Sequence, residues 1–116
     1  MVAYPGLTDA ELDRLFHALA DATRRDIVAR VLADEPASIS VLAARYDMSF
    51  AAVQKHVAVL ERAGLVTKQR RGRERMVQGN PEQLERARHL LARLEELWRA
   101  RFGRIDALFT DPIPRG

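Results

Sequence analysis

Two stripes of apolar residues in the first third of the chain recur every three or four positions. That interval is the period of one helical face, so each stripe predicts an amphipathic helix. The stripes are Leu12, Leu15, Phe16 and Leu19, and then Ile27, Val28, Val31 and Leu32. Thr8 and Asp21 precede them as predicted N-caps, and Glu11 completes a capping box with Thr8. Asp34-Glu35-Pro36 predicts the end of the second helix.

The following segment predicts two shorter helices joined by a turn. Residues 38–40 suit a short strand that runs into a helix cap at Ser40. The apolar residues of the third helix are Val41, Leu42, Ala44 and Tyr46. After a turn at 47–48, Ser49 caps a fourth helix that runs from Phe50 to about Ala63. Gly64 follows, where a left-handed residue commonly ends a helix.

Beyond Gly64 the pattern predicts two short strands and one long helix. Leu65-Val66-Thr67 and Arg75-Met76-Val77 suit the strands, and Arg71-Gly72-Arg73 suits the turn between them. Asn80 and Pro81 begin a helix that continues to about Phe109. Its heptad-like apolar residues are Leu84, Ala87, Leu91, Leu94, Trp98, Ile105 and Leu108, and Leu90, Leu97, Phe102 and Phe109 widen the stripe.

The predicted order is therefore four helices, a two-stranded hairpin and a last helix. A helix-turn-helix followed by a two-stranded wing is the simplest assembly of these parts, which gives a mainly α, winged helix-turn-helix fold. The short strand before the third helix is an optional addition to it. We expect one domain at residues 8–109, between tails at 1–7 and 110–116.

Composition narrows the class of protein. With 116 residues, 47% of them hydrophobic and 30% charged, the chain suits one soluble globular domain. It contains no cysteine, which excludes disulfides, thiolate zinc sites and thiol nucleophiles. An apolar run of about 20 residues and a signal-peptide pattern are both lacking, so we expect a cytoplasmic protein. No Walker-type loop, GxSxG or HExxH motif predicts an enzyme.

The positive charge is concentrated in the middle of the chain. Residues 1–35 hold four Arg against seven acidic residues, and residues 77–116 hold seven Arg against six. Residues 36–76, by contrast, hold eight Lys or Arg against three acidic residues. A localised excess of this kind is typical of a surface that binds a polyanion.

The fourth helix and the hairpin together suit duplex DNA. The polar start of the helix can enter a major groove, where Gln bonds adenine and Lys reaches guanine or phosphate. Arginine on a hairpin suits phosphates or a narrow minor groove. The candidate contacts are Ser49, Phe50, Ala51, Gln54, Lys55 and His56 on the helix, and Lys68, Arg70, Arg71, Arg73 and Arg75 on the wing. The alternatives are an ordinary solvated helix face and a hairpin kept soluble by its charge.

The start of the second helix offers further candidates, which have alternative interpretations. Candidates for contact with the DNA backbone are Thr23, Arg24 and Arg25. Arg24 or Arg25 can instead pair with Asp21 or Glu61. His56 lies beside the core stripe of the fourth helix, and we expect it to bond a phosphate or to pack against the second helix.

The sequence resembles the ArsR-type winged helix-turn-helix repressors. ALADATRRDIV at 18–28 is similar to the family pattern ALADPTRRxIL. SFAAVQKHVAVLERAGLV at 49–66 is similar to SxxAVSKHLxVLxxAGLV, with Gln54 where serine is commoner. The resemblance implies a homodimer, formed by the first and last helices, that binds an inverted-repeat operator. It also implies that the fourth helix enters the major groove while the wing touches the minor groove or its phosphates.

The chain departs from relatives that sense metals. Where those carry a cysteine-rich ELCVCDL segment on the third helix, this chain has ISVLAARY at 39–46. A second family site uses Asp, His and Glu on the last helix, but here His89 has only Glu85, Glu95 and Glu96 nearby, at a different spacing. We therefore expect no metal site and no cofactor.

The wide apolar stripe of the last helix predicts a dimer interface. A helix of this length exceeds what a monomer of 116 residues needs, and its apolar residues spread too far around the axis for one face. The predicted interface residues are Leu12, Phe16, Leu91, Leu94, Trp98 and Ile105. The leading hypothesis is thus a dimeric, sequence-specific repressor that acts by promoter occlusion. The alternatives are a metal- or ligand-responsive repressor and a winged-helix module that binds an acidic protein.

Overall fold

The computed structural model describes residues 7–34 and 36–110, with side chains as far as residue 103. It confirms the predicted winged helix-turn-helix fold and places a short strand before the third helix. In chain order the elements are α1 (Asp9–Leu19), α2 (Ala22–Ala33), β1 (Ala37–Ser38), α3 (Ile39–Ala43), α4 (Phe50–Arg62), β2 (Val66–Arg71), β3 (Glu74–Gly79) and α5 (Pro81–Thr110). No helix in these ranges combines the length and the apolar character needed to span a membrane.

Helix starts are set by side-chain caps, and three of the predicted caps are confirmed. Thr8, Asp21 and Ser49 each accept a hydrogen bond from the backbone amide three residues later, at 3.2, 3.0 and 3.1 Å. Each bond satisfies an amide that has no partner inside the helix. The two residues of the predicted capping box are also bonded through their side chains, because the Thr8 hydroxyl donates to Glu11 Oε1 at 3.3 Å.

The predicted cap at Ser40 is wrong. Ser38 caps α3 instead, because its hydroxyl accepts from the Val41 amide at 3.1 Å. Ser38 is also the last residue of β1, where it lies opposite Met76 in extended conformation. One residue thus ends the strand and starts the helix, so α3 begins at Ile39 and ends before Tyr46.

The wing is part of a three-stranded antiparallel sheet with the order β1-β3-β2. The register between β2 and β3 runs from Val66 opposite Gly79 to Arg71 opposite Glu74. A two-residue loop closes the hairpin, and its first residue, Gly72, has φ +64°. Arg73 does not share that conformation, so the loop is of the II′ type, whose twist matches that of the flanking strands.

The core lies between α1, α2, α4 and the sheet. The large side chains that are completely buried are Leu15, Ile27, Leu42, Leu60, Leu65, Val53, Val57, Val66 and Val77. Two helical stripes were assigned imperfectly from the sequence. Leu32 is 37% exposed rather than buried, and Leu12, predicted at a dimer interface, is only 5% exposed inside the core of the single chain.

The start of α5 is hydrogen-bonded to the end of α4. The Asn80 side-chain amide donates to the Gly64 carbonyl at 2.9 Å, and the buried Gln83 donates to the Ala63 carbonyl at 3.0 Å. Gly64 takes the left-handed conformation predicted for it, with φ +78°. Carbonyls left without helical partners at the end of α4 are thereby satisfied by α5.

A hydrogen-bonded cluster fixes the turn after α3 to α2. The Tyr46 hydroxyl and Arg30 Nε both donate to Asp26 Oδ2, at 2.6 and 2.8 Å. The bond from Tyr46, followed by that from Arg30, lowers the pKa of Asp26. Burial, followed by the hydrogen bond to Asp26, raises the pKa of Tyr46 to about 12.

Replacing Tyr46 with phenylalanine is expected to lower the free energy of unfolding by about 1 kcal/mol at neutral pH. Solvent screening keeps the value small, because the Asp26 side chain is 46% exposed. A lowered carboxyl pKa stabilises the fold above the unfolded pKa of about 3.9, and this contribution is lost as the pH falls through the folded value. The free energies of unfolding of Tyr46→Phe and the parent, measured with denaturant, should therefore converge as the pH falls and the Asp26 carboxylate becomes protonated. A constant difference would contradict a bond to the ionised carboxylate.

Candidate nucleic-acid interface

Helix α4 presents an exposed polar face at its start because its opposite face is anchored in the core. Val53, Val57 and Leu60 are fully buried. The side chains left exposed at the start of the helix are Phe50, Ala51, Gln54 and Lys55. Phe50 is 46% exposed, so its ring is accessible to a partner. The hydroxyl of Ser49 already caps the helix.

A groove brings the start of α4 and the wing together. It has a volume of about 240 Å³ and lies between the first residues of α3, the start of α4 and β3. The residues that line it are Ser38, Ile39, Ser40, Phe50, Gln54, Arg73, Glu74 and Arg75. Two predicted helix contacts, Phe50 and Gln54, therefore share one surface with two predicted wing contacts, Arg73 and Arg75.

The wing carries two arginines directly opposite each other on the face that turns toward α4. Arg70 and Arg75 are cross-strand partners, and both are exposed. They line a second groove, of about 280 Å³, together with Lys68, Gln69 and Glu61. Like charges directly opposite on a hairpin are destabilising. An anion bound between these two arginines would relieve that repulsion.

Two other predicted wing residues differ from Arg70 and Arg75. Lys68 Nζ lies 3.3 Å from Glu61 Oε1 on α4, and its side chain is only 18% exposed. Lys68 thus holds the wing against α4, and its charge is already balanced. Arg71, predicted to project from the tip beside Arg73, is the last residue of β2 and lies opposite Glu74. Only Gly72 and Arg73 form the tip itself.

The two arginines at the start of α2 bind the end of α1. Arg24 Nε donates to the Ala18 carbonyl at 2.7 Å and Arg25 Nη1 to the Leu19 carbonyl at 2.8 Å. Cations are favourable at a helix C-terminus, where carbonyls lack partners. These bonds to backbone carbonyls differ from both expected roles of the two arginines. The expected roles were contact with the DNA backbone and an ion pair with Asp21 or Glu61. Thr23 beside them is half-buried.

His56 packs against the start of α2, as one of its two interpretations expected. Its Nδ1 lies 3.2 Å from Arg24 Nη1 and 3.9 Å from Asp21 Oδ2. The hydrogen bond from the Arg24 amide lowers the pKa of Asp21 despite its partial desolvation, and the charge of the Arg24 guanidinium lowers it further. Asp21 is therefore ionised at neutral pH, and it lies beside the side chains of Arg24 and His56.

Comparison with known proteins agrees with this geometry. A helix-turn-helix domain family matches residues 19–69. The chain is 39% identical over 79 residues to the HTH-type transcriptional regulator YuzN of Bacillus subtilis, a match that covers 63% of this chain and 86% of YuzN. A crystallised ArsR family transcriptional regulator is 34% identical, with a TM-score of 0.74, over 85% of this chain and 97% of that protein. The chain belongs to the ArsR family.

As an ArsR-family member it is a DNA-binding transcriptional regulator. A more distant structure, from Mycobacterium bovis, is 19% identical with a TM-score of 0.59, over 96% of this chain and 98% of that fragment. It is described as a homodimeric winged helix-turn-helix DNA-binding domain. At that identity the likeness shows a shared fold.

The described part of α5 in this ArsR-family chain carries a large apolar face that the chain itself does not cover. The exposed residues are Leu91, Leu94, Leu97, Trp98 and Phe102, and Phe16 on α1 is also exposed. Trp98 is the most exposed of them, at 64%. The centroid of its ring lies 6.0 Å from the centroid of the Phe102 ring. The predicted interface residue Ile105 lies beyond the described side chains.

The described side chains of this ArsR-family chain include no group of three His, Asp or Glu placed to hold a metal ion. Glu85, near His89, is engaged by Arg88, which donates to it at 2.6 and 2.9 Å. This ion pair lowers the pKa of the Glu85 carboxyl. His89 itself lies 3.8 Å from Glu85 and is half exposed.

Proposed function

We propose that this protein is a homodimeric repressor that binds an inverted-repeat operator and blocks the polymerase at the promoter. The single observation that carries the proposal is the groove in which Gln54 of α4 faces Arg73 and Arg75 of the wing. Such a groove lets one surface contact base edges and phosphates together, which is how a regulator combines specificity with affinity. We place this function within residues 8–109.

The dimer is supported by the apolar face of α5. Five large apolar side chains exposed along one helix exceed what a soluble monomer usually leaves uncovered. A second copy of the same face is a natural cover, since most soluble oligomers are symmetric and use the same patch on both subunits. The homodimeric M. bovis domain shares this fold. We therefore propose Phe16, Leu91, Leu94, Trp98 and Ile105 for the interface and leave out Leu12.

Each subunit would insert α4 into one major groove, with the two helices about 34 Å apart on one face of the duplex. Gln54 and Phe50 would meet base edges, while Arg70, Arg73 and Arg75 would meet phosphates or the minor groove. Selecting bound fragments from genomic DNA with the purified protein tests this directly. We expect enriched fragments to share an inverted repeat. A protein that stays monomeric at micromolar concentration and enriches no sequence would refute the proposal.

Replacing Gln54 with alanine is expected to relax base preference. A bidentate Gln contact discriminates its base by about 1–3 kcal/mol, so operator affinity should fall about 5- to 150-fold with little change on scrambled duplex. Gln78→Ala is the matched control, because Gln78 is an exposed glutamine on β3 that lies opposite Thr67. Competition binding with both duplexes measures the effect. Equal losses on both duplexes would show that Gln54 reads no base.

A ligand-responsive repressor is a second candidate, favoured by one cavity. A groove of about 490 Å³ lies between α2, β1, α3 and β3, within the usual size range of small-molecule sites. Met76 of the wing, Val41 of α3 and Arg45 in the turn after α3 line it, so an occupant would touch the wing and the segment that precedes α4. Screening small carboxylates and amines for a change in operator affinity tests this candidate.

A further inference from the structure

Arg24 connects three elements around the recognition helix α4. Its side chain donates to two carbonyls at the end of α1, from Nε to Ala18 at 2.7 Å and from Nη2 to His17 at 3.2 Å. The remaining nitrogen, Nη1, lies 3.2 Å from Nδ1 of His56 on α4. One guanidinium thus spans the end of α1, the start of α2 and the middle of α4.

The chemistry of this contact fixes the state of the imidazole. Arginine carries only donors and stays protonated, so a hydrogen bond to it requires an acceptor on His56. Nδ1 can accept only when it carries no proton. A hydrogen bond between Arg24 and His56 therefore requires the tautomer of His56 that has its proton on Nε2.

Asp21 balances the charge at this junction. Its Oδ2 accepts from the backbone amide of Arg24 at 3.0 Å and lies 3.9 Å from Nδ1 of His56. The carboxylate caps α2 beside the imidazole, so the junction combines one carboxylate, one guanidinium and one imidazole.

We propose that Arg24 is a positioning residue for DNA recognition. It holds His56 in the Nε2–H form and fixes the orientation of α4 on the α1–α2 pair, so that His56 presents a neutral donor to a phosphate oxygen of the duplex. The role of His56 as a donor to a phosphate rests on the proposed DNA binding. The tautomer of His56, by contrast, is a property of the protein without DNA.

Arg25 provides a matched control within the same turn. It is also a cation, it also donates to the end of α1, through the Leu19 carbonyl, and this is the only described bond of its side chain. Arg24→Gln and Arg25→Gln therefore each remove one positive charge and helix-capping bonds. Only Arg24→Gln also removes the contact with His56.

The expected result is a tenfold or larger loss of operator affinity in Arg24→Gln and a loss below about threefold in Arg25→Gln. Arg24→Gln is expected to lose more thermal stability than Arg25→Gln, because it removes two bonds to α1 carbonyls instead of one. His56→Asn should behave as Arg24→Gln does, because its amide oxygen can replace Nδ1 as acceptor but nothing replaces the Nε2 donor. Arg24→Lys keeps the charge and is expected to recover only part of the affinity, since one ammonium cannot reach all three acceptors.

Nitrogen-15 NMR of the histidine rings in mildly alkaline buffer supplies a measurement that a purely structural role would not change. The parent should show His56 with its proton on Nε2, and Arg24→Gln should shift the ring toward a mixture of tautomers. A proton on Nδ1 in the parent, or equal affinity losses in the Arg24 and Arg25 variants, would overturn the inference. If the parent enriches no DNA at all, the proposed function fails, whereas the tautomer result still decides the contact between Arg24 and His56.

Discussion

Trp98→Ala is expected to raise the dissociation constant of the dimer about 100- to 1000-fold. A buried tryptophan at the centre of an interface is typically worth about 2 kcal/mol or more, and a two-fold axis makes the loss count twice. In the single chain the side chain is 64% exposed, so its removal should leave the fold of each subunit intact. Sedimentation across a dilution series measures the dimer, and far-ultraviolet circular dichroism checks the fold.

Operator affinity should fall together with dimerisation, because a monomer binds one half-site without the help of the other. Arg99→Ala is the control, because Arg99 follows Trp98 on α5 and its side chain is 75% exposed. Within the described contacts it pairs only with Glu95, at 2.9 Å. An exposed pair of this kind is worth well under about 1 kcal/mol. A Trp98→Ala protein that dimerises as tightly as the parent would show that this face has another partner.

The double variant Arg70→Gln with Arg75→Gln is expected to weaken binding to every duplex by a similar factor. Each arginine that releases a phosphate counterion contributes about 0.9 to the slope of log affinity against log salt. Removing both should therefore lower the slope by roughly two. At low salt the affinity of the double variant for DNA is expected to fall about tenfold or more, which is the largest effect expected from the wing.

The same variant should not lose stability. Arg70 and Arg75 lie directly opposite in the free protein, so their removal is expected to raise the free energy of unfolding by a few tenths of a kcal/mol. Lys68→Gln on the same strand is the control, since its charge already faces Glu61 at 3.3 Å. It should leave the salt slope nearly unchanged. A drop in slope as large for Lys68→Gln as for either arginine would contradict the assignment of phosphate contacts to the Arg70–Arg75 pair.

The sequence was sufficient where a single residue carried the local signal. Thr8, Asp21 and Ser49 were predicted as caps because a cap depends on a side chain and the amide three residues later. The cap of α3 was predicted at Ser40 instead of Ser38 because the two serines carry the same local signal, which cannot distinguish them. Pairing of Ser38 with Met76, which is distant in sequence, decided between them.

Features that depend on packing could not be predicted from the sequence. The stripe on α1 contained both Leu12 and Phe16, and its period did not show that one is buried while the other is exposed. For Arg24 and Arg25 the partners were backbone carbonyls of α1, which carry no side-chain signal. A pair of arginines just after a helix-ending turn is the clue that could have suggested this arrangement.

The hydrogen bonds from Asn80 and Gln83 to the end of α4 have a consequence for the choice of operator. They join the start of the proposed dimer helix directly to the end of the recognition helix, although the wing lies between the two helices in sequence. The crossing angle of the two α5 helices would therefore dictate the distance between half-sites. Substitutions that repack the α5 pair without dissociating it would then alter the preferred number of base pairs between half-sites, while each half-site keeps its sequence.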